Sequence, residues 1–231
     1  AVSRWQDRLG RGTPPDSHAS LAMLKDFGIA VTRSEVVHSE AEAVAAWTHI
    51  GGPVAVKTVA PGIAHRTDVG GVHLAINERA AVAAAWRDLA GRFGPDVEVS
   101  EMQPPGIEML VGMTTDEDIG PVVAIGFGGV HVELQADIAF ALPPFDAAHA
   151  QRLIERLRLR RLLDGDRGSE AVDVDALCDA AARFSTMAAA LADRIREIDV
   201  NPLIVHPGGC VAVDVLTILH TSEEIPERQP L

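Results

Sequence analysis

The sequence contains no tyrosine, and aromatic residues make up only 4% of its 231 positions. Ala, Val, Leu and Ile must therefore build whatever core it has. Cations are outnumbered, with 20 Lys and Arg against 33 Asp and Glu and a net charge of −13. That balance excludes a broad basic footprint for nucleic acid. An anion would have to be held locally, by a few cations and backbone N–H groups. The two cysteines, Cys178 and Cys210, are far apart and not in CxxC spacing. Ordinary buried thiols in a reducing compartment are expected. No apolar run approaches transmembrane length, and no secretory start precedes the first helix signal. A cytoplasmic protein with no membrane role is the expectation. The HExxH, GxxxxGK[ST] and GxSxG patterns are missing too, which removes several common enzyme classes.

What is present is a 47% hydrophobic chain, long enough for one large domain or two subdomains. Asp16 or Ser17 starts a helix ended by Gly28, and Ser39 with Glu42 has capping-box spacing ahead of a second helix. "VAVKT" (54–58) and "VHLAI" (72–76) read as strands. Asn77 opens a helix to about Phe93, and "VEVSEMQ" (97–103) alternates as a strand, with Val97, Val99 and Glu101 on one face. "PPG" (104–106) marks a break. Beyond it come "IEMLVGM" (107–113), "PVVAIG" (121–126), "VHVEL" (130–134) and "IAFAL" (138–142), all strand-like. Helices follow from Asp146 to about Leu159 and from Val172 to about Asp193. "IREIDVNPLIV" and "CVAVDVLTIL" close the chain as a hairpin around "HPGG". The fold class is α+β, with residues 1–15 and 221–231 as tails and subdomains over 16–103 and 104–220.

Three places could carry chemistry. With a loop from His206 to Gly209, Val205 pairs with Cys210 and Asn201 falls opposite Asp214. Alternation puts Glu197, Asp199 and Asn201 on one face. Such a set of hard oxygens suits Mg²⁺ with a phosphate substrate, although a solvated acidic strand face has the same pattern. Pro202 within the hairpin can add a bulge that moves the register by one residue. Lys57 at a strand end reads as an edge charge or as a phosphate contact. His65, one of nine histidines, sits in "PGIAHRTDVGG" beside Arg66 and Asp68. It is either a polar loop residue or a nucleophile on which a phosphoryl group can be parked.

Together, "GGPVAVKTVAPGIAHRTDVGGVHL", "EMQPPGIEMLVGMTTDEDIGPVVAIGFGGVHVEL", "LLDGDRG" and "EIDVNPLIV…VAVDV" resemble the ATP-grasp subunit of ADP-forming acyl-CoA synthetases, with succinyl-CoA synthetase as a more distant relative. The likeness runs in order from about residue 16 to 219. It implies an ATP-grasp fold of two α+β subdomains with ATP or ADP in the cleft between them. It further implies that Lys57 contacts the nucleotide phosphates and that Gly70, Gly71 and Val72 form the loop closing over them. Glu101 and Met102 match the hinge beside adenine, Glu108 the acidic residue on the ribose side, and Asn201 with Asp214 the Mg²⁺ ligands. His65 matches the mobile histidine that carries phosphate between a phosphohistidine of the partner and ADP. The resemblance implies a CoA-binding alpha subunit or fused domain as partner, and hence a hetero-oligomer or a larger chain.

Two positions depart from the family pattern. Ala141 stands where relatives usually have Arg, and Leu216 where they often have a cation. A lost Arg removes a rigid clamp for phosphate or carboxylate. These departures keep a second reading open, a catalytically weakened ATP-grasp regulatory domain of a fused protein such as an acetyltransferase. A stand-alone carboxylate–amine ligase would need a preceding substrate domain that residues 1–15 do not provide.

Overall fold

A computed structural model describes residues 1–60, 68–129, 137–165 and 170–221. The chain forms two compact units, Ala1–Val31 joined with Pro105–Leu231, and Thr32–Pro104.

The N-terminal segment corrects two expectations. Residues 1–15 are not simply a tail, because helix α1 (Val2–Leu9) buries Trp5 and Leu9, spaced i and i+4 on one face. The Trp5 indole donates to Asp26 at 2.7 Å, and Arg8 lies 4.9 Å over its ring. Helix α2 (Ser17–Asp26) is capped by Asp16, whose carboxylate accepts from the Ala19 amide at 2.7 Å. Residues 16–31 pack with the chain after 104 rather than with 32–103. The cause is apolar burial, since Leu21, Met23, Leu24 and Ile29 share one core cluster with Met109, Val111, Phe184 and Val200.

The smaller unit is an antiparallel sheet in the order β1 (Ser34–Val37), β4 (Val97–Glu101), β2 (Val54–Thr58), β3 (Val72–Ile76). Helices α3 (Glu40–Ile50) and α4 (Arg79–Phe93) cover one face, over Val54, Val56, Val97 and Val99. Ser39 accepts from the Glu42 amide as the spacing predicts. The cap of α4 is Glu78 rather than Asn77, and its side chain makes no cap bond. Strand β4 ends at Glu101, and the Met102 amide adds one further ladder-like bond to Pro53 O at 3.0 Å.

The larger unit has strands β5 (Ile107–Asp116), β6 (Gly120–Phe127), β7 (Ile138–Ala141), β8 (Ile195–His206), β9 (Gly209–Ala212) and β10 (Val215–Leu219). All pair antiparallel in the order β10-β8-β5-β6-β7, with β9 also on β8. The expected "VHVEL" strand falls outside the described residues. Helices α5 (Ala147–Ile154) and α6 (Val174–Leu191) pack on one sheet face, capped by Asp146 and Asp173. Helix α5 stops at Ile154, short of the expected Leu159. The amides of Arg156 and Leu157 bond three residues back, to Leu153 O and Ile154 O, and the Asp137 carboxylate then takes those of Arg158 and Leu159 at 2.9 and 2.8 Å. A 3₁₀ turn, Arg160–Asp164, follows.

The terminal hairpin is tighter than expected. Val205 pairs with Cys210, but His206 also pairs with Gly209, so only Pro207 and Gly208 turn the chain. The returning segment is two strands rather than one. The bulge foreseen at Pro202 is present on the β5 side, where the register shifts between Met109 and Val111. Cys178 and Cys210 are free and buried, and desolvation pushes their thiols up to about 11 and about 12. Among the described residues no helix is long and apolar enough to cross a membrane.

Candidate functional site

In the smaller unit, Lys57 is 5% exposed on the sheet face away from α3 and α4. It is not the solvated edge charge that its sequence position allowed. Its cross-strand partners are Glu98 on β4 and Val72 on β3, and its Nζ lies 3.6 Å from Glu98 Oε1. The glycine loop runs directly into β3. Gly70 has φ +62, a conformation costly for any residue with a Cβ. Arg92 of α4 donates to the carbonyls of Val69 and Gly70, and Gly71 O accepts from the Thr58 amide at 2.9 Å. The loop is thereby tied at both ends, to α4 and to the strand that carries Lys57. Asp88 braces Arg92 and also meets His73, whose hydrogen bond is the first cause holding the Asp88 carboxyl below its usual range.

Glu101 is engaged throughout. Arg33 donates to both carboxylate oxygens, at 3.0 and 2.8 Å, and this hydrogen bonding leads the causes that lower the Glu101 pKa. The Glu101 amide goes to Arg33 O and its carbonyl accepts from Thr32. With Met102 N–H on Pro53 O, the hinge segment is rigidly braced at the end of β4.

In the larger unit, the flanking pairs Val200–Val215 and Leu203–Ala212 leave Asn201 opposite Asp214, and the Asn201 amide donates to Asp214 O at 3.2 Å. Asp214 Oδ1 accepts from the Ser17 hydroxyl at 2.6 Å and the Val215 amide at 2.9 Å. Glu197 and Asn201 are exposed and Ile198 and Val200 buried, so the expected face is the open one. On that same face a row crosses the sheet from Leu216 through Asp199, Gly112 and Ala124 to Phe140. Its outer members are solvent-facing, Leu216 at 42% and Phe140 at 63% exposure. Glu108 is exposed at the start of β5, and its carbonyl accepts from the Gly128 amide at 2.7 Å. Ala141 pairs with buried Val123 and packs toward the core, on the opposite side from Phe140.

An amide at position 201 and a carboxylate at 214, on facing backbone positions, are hard oxygen donors of the kind that suit Mg²⁺, an ion that takes few protein ligands and keeps several waters. Among the described residues no group of three or more His, Cys, Asp and Glu gathers into a cage. His65 lies outside the described residues. Sequence reading missed Ser17 as the group that fixes Asp214, because the two are 197 positions apart. It also missed Glu98, which alternation in "VEVSE" assigns to a polar face with no hint of burial.

Residues 10–219 match the ATP-grasp domain family. The chain is 35% identical over 205 residues to the ADP-forming acetate–CoA ligase I subunit beta of Pyrococcus furiosus, covering 85% of this chain and 88% of that subunit. It is 32% identical over 203 residues to the ADP-forming 4-hydroxybutyrate–CoA ligase of Nitrosopumilus maritimus, covering 84% of this chain but 29% of that protein. Among solved structures, it is similar to the dinucleotide forming acetyl-coenzyme A synthetase 1 of Ca. Korarchaeum cryptofilum, with TM-score 0.79 and 35% identity over 88% of this chain and 92% of that one. That structure holds coenzyme A and Mg-AMPPCP, with a phosphohistidine segment pointing towards the nucleotide binding site.

Proposed function

The chain belongs to the ATP-grasp family, alongside the beta subunits of ADP-forming acetate–CoA ligases, and from that premise we propose that it is the nucleotide-binding part of an ADP-forming acyl-CoA synthetase. The reaction is acid, CoA and ATP giving acyl-CoA, ADP and phosphate. The observation that carries the reading is Asn201 set opposite Asp214, with the Asp214 carboxylate pinned by Ser17, in a chain that matches a beta subunit over most of both lengths.

Each residue has a role in the proposal. Lys57 meets the nucleotide phosphates, and the amides of Gly70, Gly71 and Val72 close over them. Glu101 and Met102 border the adenine, where the Arg33 brace keeps the end of β4 in place. Glu108 takes the ribose hydroxyls. Asn201 and Asp214 hold Mg²⁺, which when bound neutralises charge on the phosphate oxygens. In the reverse, ATP-forming direction a ring nitrogen of His65 accepts the phosphoryl group from a phosphohistidine on a CoA-binding alpha subunit or domain. One P–N bond breaks as another forms, and a terminal oxygen of ADP then takes the group, returning neutral imidazole. The acid and CoA are bound by that partner, so the acyl group is selected there. Ala141 points toward the core, so its departure from the family's Arg does not strip a cation from the open sheet face.

Incubation with γ-labelled ATP and Mg²⁺ tests the relay. Acid-labile, base-stable label is expected on the chain and is expected to vanish in His65→Ala. Nucleotide binding without label, even with a cognate CoA-binding partner present, would instead support a regulatory domain.

A further inference from the structure

Buried carboxylates are nearly always hydrogen-bonded, because an ionised group stripped of water is costly. Glu98 departs from that rule. It is 0% exposed, and among the described residues neither of its carboxylate oxygens has a hydrogen-bond partner. The cation it faces is Lys57, with Nζ 3.6 Å from Oε1, within ion-pair range but beyond a good hydrogen bond. Two residues along the same strand face, Ser100 is also 0% exposed with its hydroxyl unbonded among the described residues. Packing does not require this charge. The helices lie against Val97 and Val99 on the other face, and an apolar side chain at 98 would avoid the desolvation cost.

We propose that Glu98 is a positioning residue that sets the strength of the nucleotide site by partly neutralising Lys57. It holds the ammonium beside β4 and weakens the field that the phosphates meet, so that ADP and ATP bind loosely enough to be exchanged in turnover. The inference rests on the reading of Lys57 as the phosphate contact. It predicts a selective effect. Glu98→Gln keeps the shape and removes the charge, so it strengthens binding of ADP and ATP and leaves adenosine unchanged. A purely structural role would shift all three together or none.

Titration calorimetry of the full chain with ADP, ATP and adenosine decides the matter. Removing the one negative charge that faces Lys57 is expected to tighten ADP about tenfold, with a smaller gain at high salt. Should Glu98→Gln not fold, Glu98→Asp draws the carboxylate back by one methylene and is expected to give a smaller gain with the same selectivity. Unchanged or weaker ADP binding in the folded variant, while Lys57→Ala weakens it, overturns the proposal alone. Unchanged ADP binding in Lys57→Ala removes the reading beneath it as well.

Discussion

Replacing Ser17 with alanine takes away one hydroxyl from a residue that is 6% exposed and at the start of α2. The helix keeps its cap, since Asp16 still accepts from Ala19. What is lost is the 2.6 Å bond to Asp214 Oδ1, leaving the Val215 amide on that oxygen. A hydrogen bond to a charged group contributes about 1.5–3 kcal/mol. Groups that orient a metal ligand commonly set metal affinity by about 10- to 100-fold. The expected result for Ser17→Ala is at least a roughly tenfold loss of Mn²⁺ affinity in the presence of ADP, read by electron paramagnetic resonance. Ser17→Thr restores the hydroxyl and is expected to restore affinity. If Ser17→Ala binds Mn²⁺ as tightly as the parent while Asp214→Asn loses it, the pinning argument is wrong. If Asp214→Asn also binds normally, the ligand assignment itself fails.

Trp5 is 2% exposed with its indole bonded to Asp26, so Trp5→Ala is expected to cost about 3–5 kcal/mol in chemical denaturation, despite lying near the chain start. The Glu101 carboxyl is held below its ordinary range in the folded state, first by Arg33. Its contribution is therefore complete above the unfolded glutamate value and lost as pH falls through the lower folded value. Arg33→Gln is expected to remove that acid dependence, seen as a flatter melting temperature against pH over about pH 3–6. Gly70→Ala places a Cβ at positive φ and 3.2 Å from Arg92 Nη2, and a loss of about 1–2 kcal/mol in loop stability with weaker ADP binding is expected by calorimetry.

Local chemistry was readable in the sequence where it is written in neighbouring residues. Period-two alternation in "IREIDVN" and a short loop at "HPGG" were enough to set Asn201 against Asp214, because a hairpin turns few residues into a register. The caps at Asp16, Ser39, Asp146 and Asp173 have the same character. Partnerships that depend on distant segments were not readable. Helix α1 offers only Val2, Trp5 and Leu9 among polar residues, too little apolar signal to separate a docked helix from a tail. Glu98 looks like any polar residue on an alternating strand until the burial of that face is known. The residues just past α5 are held by a carboxylate at Asp137, 21 and 22 positions earlier and just ahead of β7.

The assignment of Ala1–Val31 to the same unit as the chain after Pro104 makes the smaller unit an insertion within the larger one. The bond between Ser20 and Thr217 spans 197 positions, so α2 is fully packed only when β10 is in place. Closing so long a loop is entropically costly and slows folding. Residues Thr32–Pro104 are contiguous and need no such closure. The unit carrying Lys57 and the glycine loop can therefore form from its own contiguous stretch, while the unit carrying Asn201 and Asp214 assembles only after both of its segments are available.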